Sequence, residues 1–444
     1  MGGGAPGEVR RSPLIRVTPE VFVATGEAEA PSNSAAVAHR PYRVVGGIAG
    51  EPADVQIIHR GGNYVHARWL GSPEPSRDRV PVQCRHIDTC GGCPWLHLRP
   101  RRAHDERAAR VARILAFAGV KTEVEVRDAP AGAGRQLVKL VAAELPGGKV
   151  GFGAYQPRSH DVGDISGCLA LPVKLRELTR LVLALPSGVV RFLLARQSTI
   201  DSRVLATLVV REPLGLPSGW EQRLEPILRS AGIDGLALHR NRRDGDAILD
   251  PMGPTTAVWG IHTLQESVGA GVAVDVGPTD FFQTNPAVGR QIWAELPEPG
   301  PRLVDLYAGV GAIPFAMWAR DPNVACFGVE ENPGAVNRAQ ETARRLGADV
   351  QMVAGAAGSV PVPESFRGAT VVLNPPRKGT SAEAFTQVAA LDPSQIVYIS
   401  CHPEPLARDL ASWQERGFGV ESVRVYDMFP GTPHVETVAV LRRR

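Results

Sequence analysis

A cysteine and a glutamate near the carboxyl end of the chain have the chemistry of a nucleophile and a base. Cys401 follows Ile396–Ser400, an apolar run with the length and composition of a buried strand. Ligands of α/β sheets gather beyond the carboxyl ends of such strands, so we expect this thiol to face a cleft. His402 or the start of the next helix could lower its pKa. Glu436 on the last strand is the candidate base, with His434 as the second choice.

A glycine-bearing turn predicts a nucleoside pocket. The strand beginning at Leu303 carries Asp305 and runs into Gly309 and Gly311, and the next strand ends at Glu330, an acceptor for ribose hydroxyls. The third glycine of the dinucleotide fingerprint is missing, and no lysine of a phosphate loop stands nearby. These features favour S-adenosylmethionine over NAD or ATP; the alternative is a set of packing glycines.

The segment Asn374–Arg377, with the sequence Asn-Pro-Pro-Arg, follows a later strand of the same half. Two prolines stiffen the loop and leave the amide of Asn374 at the carboxyl end of the strand. Amino-directed methyltransferases place an aromatic residue after Asn-Pro-Pro. This chain has Arg377 and Lys378 instead, a pair suited to phosphate, although a solvated turn is the simpler interpretation.

A thiol beside a methyl donor predicts methylation of carbon 5 of a pyrimidine. That carbon becomes nucleophilic once a thiolate adds at carbon 6, and a base must then remove the proton at carbon 5. Cys401 is the predicted nucleophile and Glu436 the predicted proton acceptor. An exposed strand residue is the alternative for Glu436.

Four of the six cysteines suggest a metal centre. Cys84, Cys90 and Cys93 lie close together, and Cys168 lies far downstream in Ile-Ser-Gly-Cys. Thiolate donors in this arrangement suit zinc or an iron–sulfur cluster, and spacing alone does not choose between them.

The coarse pattern of elements predicts an α/β protein of three domains. Residues 1–75 are expected to form a small N-terminal β-barrel with a flexible N-terminus, and residues 76–280 a central, antiparallel-rich α+β domain with the cysteine site. Residues 281–444 are expected to form a Rossmann-like domain, a doubly wound sheet with an antiparallel last strand. Helices are predicted at 99–119 and 172–185, and a hairpin joins 124–143 to 150–155.

The composition of the chain says less about its function than these motifs do. The chain has 444 residues, 43% hydrophobic and 21% charged, with a formal net charge of +3. That charge neither requires nor excludes nucleic acid, and short arginine clusters are compatible with RNA or with a solvated face. No apolar run is long enough to span a bilayer and no signal peptide is apparent, so we expect a cytoplasmic monomer without membrane contact.

A set of motifs is concentrated in the second half of the chain: Asp280–Pro286, Asp305–Gly311, Gly328–Glu330, Asn374–Arg377, Ser400–Cys401, Asp427–Pro430 and His434–Glu436. With these motifs, the chain resembles the S-adenosylmethionine-dependent RNA (uracil-5-)-methyltransferases over about residues 80–444. The resemblance implies Gln283, Tyr307, Glu330 and Asn374 as cofactor-binding residues, Cys401 as nucleophile and Glu436 as proton acceptor. It also implies Cys84, Cys90, Cys93 and Cys168 as ligands of a [4Fe–4S] cluster, with zinc as the alternative, and a TRAM-like RNA-binding barrel in the N-terminal segment.

Several motifs are more similar to the branch acting on 23S ribosomal RNA, so 23S rRNA is the expected substrate and tRNA the alternative. Many family members have Asp at the position of Asn374, and the 23S branch often lacks the barrel. Two other functional classes remain possible on the sequence. One is an amino-directed N-methyltransferase, whose activity would persist in the Cys401→Ala variant, and the other is a non-catalytic RNA-binding factor. The target uracil would have to leave its stack to reach Cys401.

Overall fold

The computed structural model describes residues 9–12, 16–19, 22–25, 42–48, 51–60, 65–157, 159–186, 188–212, 215–243, 245 and 247–444. The chain divides into two compact units. One comprises residues 1–83, 92–114 and 430–434, and the other comprises residues 84–91, 115–429 and 435–444. The predicted nucleophile, base and cofactor residues all belong to the second unit. The boundaries predicted for three domains stay a prediction.

The N-terminal strands form one six-stranded sheet in the order β1-β5-β6-β4-β3-β2. In β5 the buried residues Ala53, Val55 and Ile57 alternate with half-buried Asp54 and Gln56, the period of a strand with one covered face. Among the described residues, β1 and β2 remain the two edges of this sheet, so the predicted barrel closure is not confirmed. The strands are β1 (Val9–Ser12), β2 (Arg16–Pro19), β3 (Phe22–Thr25), β4 (Tyr42–Val45), β5 (Ala53–Arg60) and β6 (Val65–Gly71).

A long helix, α1 (Pro100–Phe117), follows the first sheet close to the predicted bounds of 99–119. Proline is tolerated at its first position because the first-turn amides need no partner within the helix. Arg107 is buried and donates from Nη2 to the Thr432 carbonyl at 2.8 Å. The basic face predicted for this helix is therefore partly used inside the protein.

The second sheet has the order β10-β9-β8-β12-β13-β14-β15, with β11 paired to β9. Six of its seven pairings are antiparallel and the seventh, β13–β14, is parallel, so the predicted antiparallel-rich pattern is present. Helices α2 (Val173–Leu178) and α3 (Trp220–Ser230) bury leucines in its core. The strands are β8 (Leu137–Leu145), β9 (Lys149–Tyr155), β10 (Val162–Gly163), β11 (Val182–Leu183), β12 (Val190–Gln197), β13 (Val204–Arg211), β14 (Gly235–Asn241) and β15 (Thr255–Gly260).

Two local predictions in this region need correction. The strand predicted over 124–143 is divided: β7 (Val124–Arg127) joins the last sheet beside β23 (Phe418–Tyr426), and only β8 forms the hairpin with β9. The helix predicted over 172–185 ends at Leu178, because Val182 and Leu183 pair with β9 instead. Tertiary pairing outweighs local propensity in both places.

The C-terminal sheet has the order β20-β19-β18-β21-β22-β24-β23-β7. β18, β19, β20, β21 and β22 are parallel, and β24 runs antiparallel to β22 and β23, as predicted. A two-stranded hairpin, β16 with β17, precedes it. Its elements are β16 (Leu264–Gly269), β17 (Val272–Val276), α4 (Pro286–Glu295), β18 (Arg302–Asp305), α5 (Ala312–Arg320), β19 (Ala325–Glu330), α6 (Pro333–Leu346), β20 (Val350–Ala354), β21 (Thr370–Leu373), α7 (Ala382–Leu391), β22 (Gln395–Ser400), α8 (Pro403–Glu415) and β24 (Glu436–Arg443). The expectation of a doubly wound sheet is confirmed.

In the described part of the chain, no helix is long and apolar enough to cross a membrane.

Candidate active site

The predicted site residues collect at one edge of the C-terminal sheet. Tyr307, Glu330, Asn374 and Cys401 lie at or just beyond the carboxyl ends of the parallel strands β18, β19, β21 and β22. Because β24 is antiparallel, its first residue, Glu436, lies at this same edge. The edge is where an open α/β sheet binds ligands.

The glycine turn between β18 and α5 leaves the backbone uncovered at Gly309, whereas Phe315 covers Gly311. Gly309 and Gly311 have φ angles of +55° and +80°, a left-handed conformation that favours glycine. The nearest neighbour of a Cβ added at Gly309 would be the Phe281 carbonyl oxygen, 3.8 Å away. A ligand can therefore approach this turn closely.

Two carboxylates hold this turn. Glu330 accepts from the Gly309 amide through Oε2 at 2.9 Å and from the Asn332 amide through Oε1 at 2.8 Å. Asp305 accepts from the Tyr307 amide at 3.0 Å through Oδ1. Its Oδ2 is buried without a hydrogen-bond partner among the described residues, and burial, followed by the charge of Glu330, raises the pKa of Asp305 to about 7. These acidic acceptors suit a cationic, hydroxyl-bearing ligand and do not suit a pyrophosphate.

Gln283 and Tyr307, two further predicted cofactor residues, pack closely against neighbouring segments. Gln283 is buried, and its side chain packs against Gly289 of α4, where an added Cβ would lie 3.1 Å from the Gln283 Cβ. Burial raises the pKa of Tyr307 to about 12, and the Ser381 backbone donates to its hydroxyl. The missing side chain of Gly289 thus leaves space for Gln283, and the Ser381 backbone holds the Tyr307 hydroxyl.

Cys401 and Glu436 face each other across β22 and β24. The register pairs Ser400 with Thr437, so the next positions on the two strands are Cys401 and Glu436. Burial raises the pKa of the Cys401 thiol, and the charge of Glu436 raises it further. The expectation that His402 or the helix start would lower this pKa is not met, because burial dominates.

Glu436 is an unusual carboxyl group because it is 4% exposed and lies beside a thiol. Burial raises its pKa from 4.5 to about 8. A general base is most effective when its pKa is near the working pH, so this group suits proton abstraction near neutrality. His434, the second choice for the base, belongs to the other compact unit.

Arg377 acts on the thiol, a role that the sequence did not reveal. Its guanidinium hydrogen-bonds the Cys401 side chain, and its charge lowers the pKa of the thiol, partly opposing burial. Lys139 on β8 was also missed. Partial desolvation and then the charges of Arg377 and Arg196 lower its pKa. No local sequence signal marks Lys139, because β8 is remote in the chain from Arg377.

The structure does not assemble the four predicted metal-binding cysteines into a ligand group. In the part of the chain it describes, no three His, Cys, Asp or Glu residues meet as a group that could hold a metal ion. Within the second unit, His86 Nε2 lies 2.9 Å from the Ser166 carbonyl, so the Cys84–Gly91 segment does lie beside the segment leading to Cys168. The thiol chemistry suits a cluster, and the cluster itself stays a prediction.

Known proteins match this chain over nearly its whole length. The profile of the family described as tRNA (Uracil-5-)-methyltransferase matches residues 362–444, and that of the methyltransferase small domain matches residues 289–391. The 23S rRNA (uracil(1939)-C(5))-methyltransferase RlmD of Alkalilimnicola ehrlichii is 30% identical over 432 residues, 92% of this chain and 93% of that protein. The chain belongs to the RNA uracil-C5 methyltransferase family. The RlmD protein of Azoarcus sp. is 27% identical over 423 residues, covering 90% of this chain and 94% of the relative.

A solved structure has the same fold as this family member. The Pyrococcus abyssi tRNA (uracil-54, C5)-methyltransferase in complex with S-adenosyl-L-homocysteine superposes with a TM-score of 0.72. The match covers 97% of this chain and all of that chain, at 22% sequence identity. At that identity the similarity establishes the fold and leaves the choice of RNA to other evidence.

Proposed function

We propose that this enzyme transfers a methyl group from S-adenosylmethionine to carbon 5 of a uridine in 23S rRNA. The observation that carries the proposal is the pairing of a thiol and a buried carboxyl group, Cys401 and Glu436, at the ligand-binding edge of a methyltransferase sheet. The assignment to 23S rRNA is supported by the names of the relatives from Alkalilimnicola and Azoarcus.

Cys401 starts the reaction by adding its thiolate to carbon 6 of the uracil, which makes an enolate with a nucleophilic carbon 5. Arg377 favours the thiolate because its guanidinium donates to that sulfur. S-adenosylmethionine, when bound, would supply an electrophilic methyl group to carbon 5 and leave as S-adenosylhomocysteine. Glu436 then takes the carbon 5 proton, the carbon 5–carbon 6 double bond re-forms, and the thiolate leaves.

The cofactor is assigned to the turn between β18 and α5. Each Glu330 carboxylate oxygen accepts one hydrogen bond from a backbone amide and has a second lone pair free. Glu330 can therefore also accept hydrogen bonds from ribose hydroxyls. Gln283, Tyr307 and Asn374 complete the proposed set, as the resemblance implies. Asp305 Oδ2, buried and without a partner among the described residues, is one more acceptor on the strand that leads into this turn.

The experiment is trapping with RNA that carries 5-fluorouridine. Fluorine at carbon 5 cannot leave as a proton, so the adduct between the RNA and Cys401 should survive denaturing electrophoresis after methyl transfer. Cys401→Ala should abolish the adduct, whereas Cys326→Ala, at a buried cysteine in β19, should retain it. Methylation of normal RNA by Cys401→Ala would instead indicate an amino-directed N-methyltransferase.

The same reaction identifies the RNA. Transcribed 23S rRNA and tRNA are offered separately and together, and the labelled species is digested and mapped by mass spectrometry. We expect the adduct on 23S rRNA. Adduct on tRNA alone would overturn the substrate assignment and leave the chemistry of Cys401 intact.

We also propose, from the resemblance and from their thiol chemistry, that Cys84, Cys90, Cys93 and Cys168 hold a [4Fe–4S] cluster. No step of methyl transfer passes through it. Protein purified without oxygen should contain iron and acid-labile sulfide and show a broad absorption band in the visible region. The Cys168→Ser variant should lose the iron, the sulfide and the absorption band. Stoichiometric zinc in place of iron would select the alternative, and the absence of both metals would end the proposal.

A further inference from the structure

Asp409 lies at the centre of a buried polar network that the proposed reaction does not use. It is 1% exposed and lies in α8, the helix that follows Cys401. Its Oδ2 accepts from the Thr380 amide at 2.8 Å and from the Tyr398 hydroxyl at 2.5 Å. Its Oδ1 accepts from Arg408 Nε at 2.8 Å. A buried carboxylate with three donors is strongly tied to its surroundings.

The donors fasten the loop Asn374–Thr380 onto α8. Arg408 Nη2 donates to the Lys378 carbonyl at 2.9 Å, and Thr380 Oγ1 donates to the Tyr398 hydroxyl at 3.2 Å. Gly379 has φ at +87°, and a Cβ added there would overlap Arg408 and lie 2.7 Å from Asp409 Oδ2. The loop therefore rests directly on the carboxylate, with no space for a side chain between them.

This loop and the residue that follows it both contact active-site side chains. Arg377 within the loop hydrogen-bonds the Cys401 thiol, and the backbone of Ser381, the next residue after the loop, donates to the Tyr307 hydroxyl. A shift of the loop would move the cation that favours the thiolate away from the sulfur. Misplacement by about 1 Å can cost roughly 100-fold in rate.

We propose that Asp409 is a positioning residue: by anchoring the loop Asn374–Thr380 on α8, it places Arg377 against the Cys401 sulfur. The inference rests on the proposed function only in taking Cys401 as the nucleophile. It assigns Asp409 no contact with RNA or cofactor, and a merely structural role is the alternative.

The test measures how the rate of Cys401 alkylation by iodoacetamide depends on pH, followed by mass spectrometry of the peptide that contains Cys401. No RNA or cofactor is needed, so a wrong RNA assignment does not affect it. In Asp409→Asn the amide cannot accept from all three donors, and the loop should loosen. We expect the alkylation midpoint to move to higher pH, and methyl transfer to slow by about 10- to 100-fold with little change in KM for RNA.

The sign of the shift separates positioning from simple electrostatics. Removing a negative charge near a thiol lowers the pKa of that thiol, whereas losing Arg377 raises it. Arg377→Gln alone should also raise the midpoint. The double variant Asp409→Asn/Arg377→Gln should have the same midpoint as Arg377→Gln, because both changes remove the same interaction between Arg377 and the thiol. The matched control is Asp234→Asn, which loses a carboxylate that accepts from the Val204 amide at 2.7 Å elsewhere in the unit; its midpoint should stay unchanged.

A second variant keeps the test decisive if Asp409→Asn does not fold. Tyr398→Phe removes one donor from the network and should shift the midpoint in the same direction by a smaller amount. An unchanged or lowered midpoint in the folded variant, or full additivity with Arg377→Gln, overturns the proposal.

Discussion

Glu436 and Cys401 form a coupled acid pair at the residue scale. Burial holds the pKa of Glu436 at about 8, and both burial and the charge of Glu436 raise the pKa of the thiol. Two neighbouring anions are costly in a site of low polarity, so the pair carries at least one proton near neutrality. Arg377 supplies the opposing charge.

Glu436→Gln tests this coupling. The substitution removes the anion that raises the pKa of the thiol, so Cys401 should be alkylated at lower pH than in the unaltered enzyme. The variant should still form an adduct with normal RNA but release it slowly, because no base removes the carbon 5 proton. Glu421→Gln, an exposed position paired with Arg442 on the neighbouring strand, serves as the control. An unshifted alkylation midpoint in Glu436→Gln would refute the coupling.

At the scale of elements, the start of α6 supports the cofactor turn. Asn332 caps this helix by accepting from the Gly334 amide at 2.9 Å, and its own amide is held by Glu330 at 2.8 Å. Its side chain donates to Asp280 at 3.3 Å, in the segment that leads to Gln283. Asn332 thus connects Glu330, the acid that would bind ribose, with the segment that carries Gln283, another predicted cofactor residue.

Asn332→Ala should lower the free energy of unfolding by about 1 kcal/mol, the usual cost of losing a helix cap. Because Glu330 lies two residues earlier, we also expect weaker binding of S-adenosylmethionine, measured by isothermal titration calorimetry. Asn332→Ser keeps a capping acceptor without placing a charge beside Asp280 and should recover much of that stability. Asn323, which bonds Asp321 on an exposed turn, provides a control through Asn323→Ala. Unchanged cofactor affinity in Asn332→Ala would show that the helix cap does not contribute to cofactor binding.

For the whole molecule, buried acids make stability depend on pH. The pKa values of Asp305 and Glu436 lie at about 7 and about 8 in the folded protein, well above their ordinary values. The folded state keeps protons that the unfolded chain releases, so the stabilisation present at low pH is lost as pH rises through these values. His97, whose pKa burial lowers to about 4, acts in the opposite direction but only below about pH 6.5.

Denaturant unfolding at pH 6.5 and 8.5 measures this effect. The free energy of unfolding should fall between these pH values, and Glu436→Gln should reduce the fall by roughly 1 kcal/mol or more. Glu421→Gln should leave the pH dependence unaltered. A stability that stays level or rises over this interval would contradict the raised pKa values.

Elements whose signals are local could be predicted from the amino-acid sequence. Cys401 follows a continuous apolar run, Glu436 begins the last such run, and the glycines after Asp305 mark a turn, so the order of the C-terminal elements and the edge with its chemistry could be predicted. Covered parallel strands need such runs, and left-handed turns need glycine.

Interactions between residues that are distant in the chain became visible only in the folded structure. It moved β7 into the C-terminal sheet, set Arg377 on the Cys401 thiol and placed the loop Asn374–Thr380 on Asp409. Desolvation, which holds the pKa of Glu436 at about 8, comes from many segments packing together. Burial and long-range hydrogen bonds depend on the folded arrangement, so no local pattern of residue types could have predicted them.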